Sequence, residues 1–269
     1  MNGFNGAKIA LLEARMSGEL ARLVQKHGGT VISAPALKET AVDCGPEVGA
    51  LINQLVVGEI EIIVFQTGVG VSALLNEAEK LNRKEELIAA LNRITTVCRG
   101  PKPTAVLGRN GIQVLIKVKE PHTTNDLVES LDALELKDKG VALLNYGERN
   151  VGLTDYLISR RAKLTELMLY EWQLPDDIMP LKSLITNVIA GEVDAVAFTS
   201  QIQVRHLFQI AEEMNQADEL NQALQQQTII ASIGPTCTAA LRALGLEPHV
   251  EPEHPKMGPM VQALLERFA

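Results

Sequence analysis

The 269-residue chain contains few aromatic residues and no long apolar run. Phe, Trp and Tyr make up 3% of it, too few for the stacking platforms that bind single-stranded nucleic acid. The net charge of −8 also argues against a general nucleic-acid-binding protein. No apolar stretch approaches the length that a membrane-spanning helix needs. We therefore expect neither nucleic acid nor a membrane as a partner.

Cysteines are equally sparse. Cys44, Cys98 and Cys237 are scattered, odd in number and without metal-site spacing. This usage fits a reducing compartment. The first residues show no basic stretch followed by an apolar stretch, so we expect no secretory signal and a cytoplasmic protein.

Familiar catalytic motifs are missing. Gly68 and Gly70 are not followed by the third glycine of a dinucleotide fingerprint, because position 73 is Ala73. The chain has no phosphate-binding Gly-Lys-Ser/Thr, its five histidines share no ligand spacing, and Ser and His form no triad order. We therefore expect no cofactor and no metal.

A repeat covers the whole chain. Residues 191–200 match residues 58–67 by residue class at nine of ten positions, at an offset of 133. A period of this length indicates a duplicated domain, and the cleft between two domains is where small ligands usually bind. Further matches, at offsets of 132 and 134, relate residues 10–12 to 142–144 and residues 100–105 to 234–239.

Strand, loop and helix patterns alternate along both copies, which predicts two similar α/β domains with parallel sheets. Residues 60–65 are apolar at almost every position, as in a parallel strand that is covered on both faces. Residues 100–104 are interpreted as a loop that leads into a helix over 105–109. Residues 34–40 and 169–175 are interpreted as linkers at equivalent places in the two copies.

Ligands of open parallel sheets bind beyond the carboxyl ends of the strands. At six such ends the chain has a loop with Gly, Ser, Thr or a cation before a helix, where unpaired N–H groups favour anions. These residues are also ordinary helix caps, and a lone loop arginine is usually a solvated charge, so the interpretation depends on the recurrence in register. The candidate binding residues are Arg15, Ser17, Thr67, Gly68, Arg99, Lys102, Thr104, Arg149, Ser200, Gly234, Thr236 and Thr238.

Tyr170 is one of three tyrosines and lies in the second linker. We expect it to face the cleft between the domains. From the residues alone it is more often a packing side chain than a reacting group, because amphipathic phenols are common at domain hinges.

The chain resembles the uroporphyrinogen-III synthase family, as a divergent member. The resemblance is carried by Phe198-Thr199-Ser200, residues 231–241, and 253–257 before a short terminal helix. It covers essentially the whole chain and is weaker in the first copy. There, residues 66–70 and 99–103 depart from the usual family pattern.

The resemblance implies two α/β domains joined by a two-stranded linker, one of them discontinuous. Residues 1–36 with 173–269 would form one domain, and residues 38–170 the other. It also implies the activity, which is cyclisation of hydroxymethylbilane to uroporphyrinogen III, with inversion of the last pyrrole ring and loss of water. No cofactor is used, and a monomer is one expected state. The tyrosine that assists departure of the hydroxyl falls on Tyr170.

Two alternatives remain open at this stage. The altered loops of the first copy also fit a regulatory protein that senses a tetrapyrrole or another polyanion without turnover. Some members of this branch are fused to a DNA-binding regulator, but nothing follows Ala269, so we expect no such module. A periplasmic-type binding protein is disfavoured by the missing secretory signal.

Overall fold

The computed structural model describes residues 3–13, 17–145 and 147–268, with Ser17 described by its backbone alone. Strands and helices alternate along these residues. The strands are β1 (Lys8–Leu11), β2 (Thr30–Ser33), β3 (Lys38–Ala41), β4 (Ile62–Phe65), β5 (Thr95–Cys98), β6 (Ile116–Lys117), β7 (Gly140–Leu144), β8 (Lys163–Leu167), β9 (Tyr170–Gln173), β10 (Ala195–Phe198) and β11 (Ile229–Ser232). The helices are α1 (Ser17–Lys26), α2 (Gly45–Val56), α3 (Gly68–Lys80), α4 (Lys84–Leu91), α5 (Pro101–Arg109), α6 (Thr124–Asp132), α7 (Val151–Ser159), α8 (Met179–Ile189), α9 (Gln201–Glu213), α10 (Ala217–Gln226), α11 (Pro235–Ala243) and α12 (Met257–Arg267).

The chain divides into two compact units. Unit 1 consists of Met1–Lys38 and Gln173–Ala269, and unit 2 is the continuous segment Glu39–Trp172. The chain passes from one unit to the other within β3 and within β9, which pair in a two-stranded sheet.

Unit 2 contains a five-stranded sheet in the order β6-β5-β4-β7-β8, with every neighbouring pair parallel. All four residues of β4 are buried. Ile63 and Phe65 point into one hydrophobic cluster, and Ile62 and Val64 into another. The strand is therefore covered on both faces, as its continuous apolar pattern predicts.

Unit 1 contains a four-stranded sheet in the order β11-β10-β1-β2, which is again parallel throughout. The side chains of β1 alternate between two clusters, with Ala10 in one and Ile9 and Leu11 in the other. The predicted fold class, α/β with parallel sheets in two parts, is confirmed.

Strand registers show the repeat in three dimensions. Ile62 of β4 pairs with Val141 of β7, and Ala195 of β10 pairs with Ile9 of β1. Ala195 lies 133 residues after Ile62, and Val141 lies 132 residues after Ile9, as in the sequence repeat. Each sheet therefore combines strands from both copies of the repeat.

The predicted start of one helix was wrong. Helix α5 begins at Pro101 rather than at residue 105. We interpreted Pro101 and Pro103 as loop residues, but in a first helical turn a missing N–H costs nothing and the fixed φ of proline is suitable. The expected two-stranded linker is confirmed, because β3 and β9 overlap or lie within the predicted linkers and pair with each other.

Across residues 3–13, 17–145 and 147–268, no helix combines the length and the apolar character that a membrane span requires.

Candidate functional site

The loops that follow β4 and β5 lie side by side in unit 2. Thr67 caps helix α3, with its Oγ1 accepting a hydrogen bond from the Gly70 N–H at 3.1 Å. A Cβ on Gly68 would stand 3.2 Å from the carbonyl group of Lys102. Glycine at position 68 therefore lets the first turns of α3 and α5 approach closely, so that two helix N-termini share one edge of the sheet.

Tyr170 lies at the same edge. It is the first residue of β9 and is 3% exposed. Its hydroxyl is 2.9 Å from Thr67 Oγ1, a hydrogen bond between residues 103 positions apart in the chain. Two residues that the sequence analysis selected separately are thus in direct contact at the N-terminus of α3.

The surroundings of Tyr170 keep its phenol protonated. Burial raises the pKa of Tyr170, and the carboxylate of Glu39 raises it further. The hydrogen bond with Thr67, the nearby indole N–H of Trp172 and the positive charge of Arg99 lower the pKa without cancelling the effect of burial. The buried phenol therefore keeps its proton at neutral pH, and that proton is available for donation.

The other predicted residues of these two loops are less buried. Arg99 is half-buried directly after β5, and Lys102 is exposed in the first turn of α5. The Thr104 hydroxyl donates back to the Gly100 carbonyl at 2.9 Å. Arg99 and Lys102 therefore bring positive charge to the edge of the sheet at which Tyr170 lies.

Arg149, at the carboxyl end of β7, is engaged in an ion pair. Its guanidinium donates to both carboxylate oxygens of Glu166, at 2.7 and 3.1 Å. Burial acts to raise the pKa of Glu166, but hydrogen bonds from Arg149, Asn145 and Thr154 outweigh it and hold the pKa below its usual value. Arg149 thus neutralises a neighbouring carboxylate within unit 2.

A buried amide network, which sequence reasoning missed, supports the loops of unit 2. Asn150 Nδ2 donates to Gln66 Oε1 at 2.8 Å and to Thr124 Oγ1 at 3.2 Å. The Asn150 backbone N–H donates to Asn145 Oδ1 at 3.1 Å. These bonds tie together the loops after β4 and β7 and the start of α6. Their only signal in the sequence is a polar residue directly after each apolar strand.

The equivalent loop of unit 1 follows β10. Ser200 caps α9, with its Oγ accepting from the Gln203 N–H at 3.4 Å. Gln203 is buried, and its Nε2 donates to Thr199 Oγ1 at 2.8 Å and to Glu13 Oε2 at 3.2 Å. Glu13 follows β1, so a carboxylate lies close to this helix N-terminus.

The predicted binding residues in and after the loop that follows β11 differ in exposure. Thr236 is exposed in the first turn of α11, whereas Gly234 is buried, and a Cβ there would stand 2.8 Å from Pro255 Cβ. Thr238 is 1% exposed and hydrogen-bonds with Ser232 at 2.8 Å and with Glu251. The hydroxyl of Thr238 is therefore engaged inside unit 1, and its binding role stays a prediction.

Two predicted residues precede or begin helix α1. Arg15 lies outside the described residues, and Ser17 is described by its backbone alone, as the first residue of α1. Their binding roles stay predictions.

Acidic residues and cysteines do not form a metal centre in the described part of the chain, where no group of three or more His, Cys, Asp or Glu is placed to hold an ion. A cavity of about 410 Å³ lies at the amino-terminal edge of the sheet of unit 2, away from Tyr170. Its lining includes Glu59, Glu61 and Lys163 and contains none of the predicted site residues.

The fold and this site define a class of protein. Its members have two α/β units with parallel sheets, and the loops that follow the strands lead into helix N-termini. The model of the family described as uroporphyrinogen-III synthase HemD matches residues 18–262. The chain therefore belongs to the uroporphyrinogen-III synthase family, and its family and fold indicate a function of that type.

Individual relatives match the chain over nearly their full length. A protein from Bacillus subtilis strain 168, YjjA, which is named as uncharacterized, is 28% identical over 99% of this chain and 97% of its own. A Methanothermobacter thermautotrophicus protein, provisionally named a uroporphyrinogen-III synthase, is 30% identical over 92% of this chain and 93% of its own. A crystal structure of a mutant uroporphyrinogen III synthase from the extremely thermophilic bacterium Thermus thermophilus covers 98% of both chains, with a TM-score of 0.80 and 26% identity.

Proposed function

We propose that the protein converts hydroxymethylbilane into uroporphyrinogen III, as a cofactor-independent enzyme of tetrapyrrole biosynthesis. The observation that carries the proposal is the buried hydroxyl of Tyr170 beside Thr67 at the N-terminus of α3, in a chain of this family. The three cysteines are free and buried, which supports the reducing, cytoplasmic setting that the sequence predicts.

Tyr170 would act as the general acid of the first step. Its proton passes to the terminal hydroxyl oxygen of the substrate as the carbon–oxygen bond breaks, so that water leaves. The electron pair of the pyrrole nitrogen then forms the exocyclic double bond of an azafulvene. Because the pKa of Tyr170 is raised, the acid is fully protonated at neutral pH.

Ring closure with inversion would follow from positioning. The azafulvene carbon is attacked by a substituted carbon of the last ring, which gives a spiro intermediate that fragments and recloses. After reclosure, the ring carbon that formed the new bond loses its proton, which restores that pyrrole ring, and the proton returns to the phenolate of Tyr170. The protein must hold the flexible chain so that this attack occurs faster than the spontaneous closure without inversion.

Carboxylates of the substrate would bind at the loops that lead into helices. Helix N-termini and neighbouring cations are suitable partners for them. Thr238 and Arg149 are the weaker candidates, because the Thr238 hydroxyl already binds Ser232 and Arg149 already pairs with Glu166. The remaining candidates are Arg15, Ser17, Thr67, Gly68, Arg99, Lys102, Thr104, Ser200, Gly234 and Thr236.

We further propose that residues 1–36 with 173–269 and residues 38–170 act as the two functional domains, with the substrate in a cleft between them. The division of the chain into units 1 and 2 within β3 and β9 supports these boundaries. The positions of the loops relative to such a cleft stay a prediction.

The product assay tests the function. Purified protein is mixed with freshly generated hydroxymethylbilane, and the uroporphyrinogen isomers are separated after oxidation. Formation of isomer III is expected. If isomer I alone appears, as it does in buffer, the proposed activity is wrong.

Replacement of Tyr170 tests the general acid. Tyr170→Phe should slow formation of isomer III by roughly tenfold or more, because the proton donor is lost while the ring is kept. Tyr156→Phe is the matched control, because the Tyr156 hydroxyl binds Asp132 on another helix. An unchanged rate in Tyr170→Phe would remove the acid role and leave the assignment of the activity intact.

A sensing protein without turnover is the second candidate. It is favoured by the loop after β4, where Gln66 is locked into a buried amide network. Titration calorimetry with a polycarboxylate porphyrinogen separates the two candidates. Tight binding without isomer III in the product assay would establish the sensor, and isomer III would exclude it.

A further inference from the structure

Trp172 is the single tryptophan of the chain and has an unusual environment. Its indole Nε1 is buried and has no hydrogen-bond partner in good geometry among the described residues. A buried N–H without a partner costs free energy comparable to a lost hydrogen bond, so native proteins rarely leave one. Such a group calls for an acceptor close to the indole ring.

The indole is fixed in place by Gly147. A Cβ on Gly147 would stand 1.2 Å from Trp172 Cδ1 and 1.4 Å from Nε1, so the indole edge fills the space of the missing side chain. Gly147 also has a positive φ of 76°, which glycine adopts without strain. The Trp172 backbone N–H donates to the Gly147 carbonyl at 3.2 Å. The backbone and the indole edge are thus held against the same residue.

The neighbouring ring is that of Tyr170. The two ring centroids are 6.5 Å apart, with an angle of 31° between the ring planes. The two side chains are therefore close neighbours, and the nearby indole N–H is a factor that lowers the pKa of Tyr170. No hydrogen bond between the two side chains is formed in this structure, and the Tyr170 hydroxyl is an acceptor on the neighbouring ring.

Thr67 completes the surroundings of the phenol oxygen. Its Oγ1 accepts from the Gly70 N–H at 3.1 Å, so the Thr67 proton is available for Tyr170 at 2.9 Å. If Thr67 donates, the proton of Tyr170 remains free to reach a substrate. The charged groups that act on Tyr170 are Glu39 on β3 and Arg99 after β5.

We propose that Trp172 is a positioning residue, whose Nε1–H joins the Thr67 hydroxyl in donating to the Tyr170 oxygen and directs the phenol proton toward the leaving hydroxyl of the substrate. This proposal rests on the proposed function for the identity of the proton acceptor. Two donors on one phenol oxygen fix its remaining proton in direction and stabilise the phenolate that forms when the proton leaves.

The titration of Tyr170 tests the donor directly, without turnover. Difluorotyrosine at position 170 titrates nearer neutral pH and gives a single ¹⁹F signal. Because Trp172 is the only tryptophan, growth with benzothienylalanine replaces its N–H by sulfur at this position alone, with the ring shape retained. The titration of the label should move to higher pH in the sulfur-containing protein. An unchanged midpoint would overturn the proposal.

Two comparisons make the result specific. Trp172→Phe should move the midpoint in the same direction as the sulfur analogue, because both remove the N–H. The same label at position 156 should titrate identically with and without the sulfur analogue, because the Tyr156 hydroxyl binds Asp132 rather than Trp172. A parallel shift at position 156 would show a general change of the protein and would count against the proposal.

The catalytic consequence is measured separately. Trp172→Phe should slow formation of isomer III by roughly threefold to tenfold, and it should have no further effect in a Tyr170→Phe background. Equal slowing in both backgrounds would show that Trp172 acts apart from Tyr170. If the unmodified protein forms no isomer III, the proposed function fails, whereas the ¹⁹F titration still decides whether Trp172 donates to Tyr170.

Discussion

Burial changes the acidity of two cysteines at the scale of single residues. Cys98 ends β5 and Cys237 lies in α11, and desolvation raises the pKa of each thiol from 9.0 to about 11. The folded state therefore favours the neutral thiol. Each buried neutral thiol stabilises the folded state fully below pH 9, which is near the pKa of a thiol in the unfolded chain. This contribution is lost as the pH rises toward 11.

We expect the free energy of unfolding to fall between pH 9 and pH 11 by on the order of 2 kcal/mol for each of these thiols. Urea unfolding followed by circular dichroism across this range measures the fall. The double variant Cys98→Ala/Cys237→Ala should lose most of this pH dependence. Equal slopes in the variant and the unmodified protein would contradict the prediction.

A second residue-scale prediction concerns Glu166 and the loss of stability at low pH. Burial opposes ionisation of Glu166, yet hydrogen bonds from Arg149, Asn145 and Thr154 hold its pKa below 4.5. Its stabilising contribution is therefore present above pH 4.5 and is lost as the pH falls through the lowered value. Glu166→Gln should cost about 1–3 kcal/mol at neutral pH, because its partners lose an ionised acceptor.

The pair between Arg242 and Glu247 provides a matched control. Its arginine also donates through Nε and Nη2 to a glutamate, but both side chains are well exposed. Glu247→Gln should leave the free energy of unfolding unchanged within error, because exposed ion pairs contribute little. Similar losses in both variants would show that the hydrogen bonds around Glu166 are not the cause.

At the scale of elements, a strand or helix could be predicted from the sequence where its own residues show a distinctive pattern. The apolar run of β4 was recognisable from the sequence. The start of α5 was not, because a proline looks the same in a loop and in a first helical turn. Only the hydrogen bonds of the following residues distinguish the two.

Close packing between elements leads to a third prediction, for Gly140 at the start of β7. A Cβ at this position would stand 1.7 Å from the Glu59 carbonyl oxygen, a backbone atom that cannot move freely. Gly140→Ala should therefore destabilise the protein by about 2 kcal/mol or more. Thermal and urea unfolding measure the loss.

Gly152→Ala is the control for this substitution. Gly152 lies in α7, and a Cβ there would meet no atom within 4 Å. Alanine at this helical position should be neutral or stabilising by up to about 1 kcal/mol. If both variants lose stability equally, the close contact at Gly140 is not the reason.

At the scale of the whole molecule, the repeat in sequence and the units in space do not coincide. Unit 2 takes β4, β5 and β6 from the first copy and β7 and β8 from the second. It has two hydrophobic clusters. One lies within residues 44–169, and the other lies within residues 62–164. The continuous segment 39–172 therefore carries a complete sheet and a complete core.

We expect the fragment 39–172 to fold alone, because its sheet and its core are both complete. A dispersed ¹H–¹⁵N spectrum and cooperative unfolding would confirm this. The fragment 1–134, one copy of the repeat, should remain unfolded, since it holds β4 without β7 and β1 without β10. A folded 1–134 together with an unfolded 39–172 would contradict the division into units.

Local apolar pattern and the 133-residue repeat determined, from the sequence by itself, that this protein has two related parallel α/β sheets with helix-starting loops. Only the tertiary structure decided that β4 pairs with β7 of the other copy and that Tyr170 meets Thr67 across 103 residues. The physical reason is that the apolar residues of a strand predict its burial locally. The identity of the neighbouring strand depends on packing between distant parts of the chain. Several strands of this chain have a similar apolar pattern, so the pattern does not identify which of them lie side by side. The connections between them in the folded chain determine the pairing.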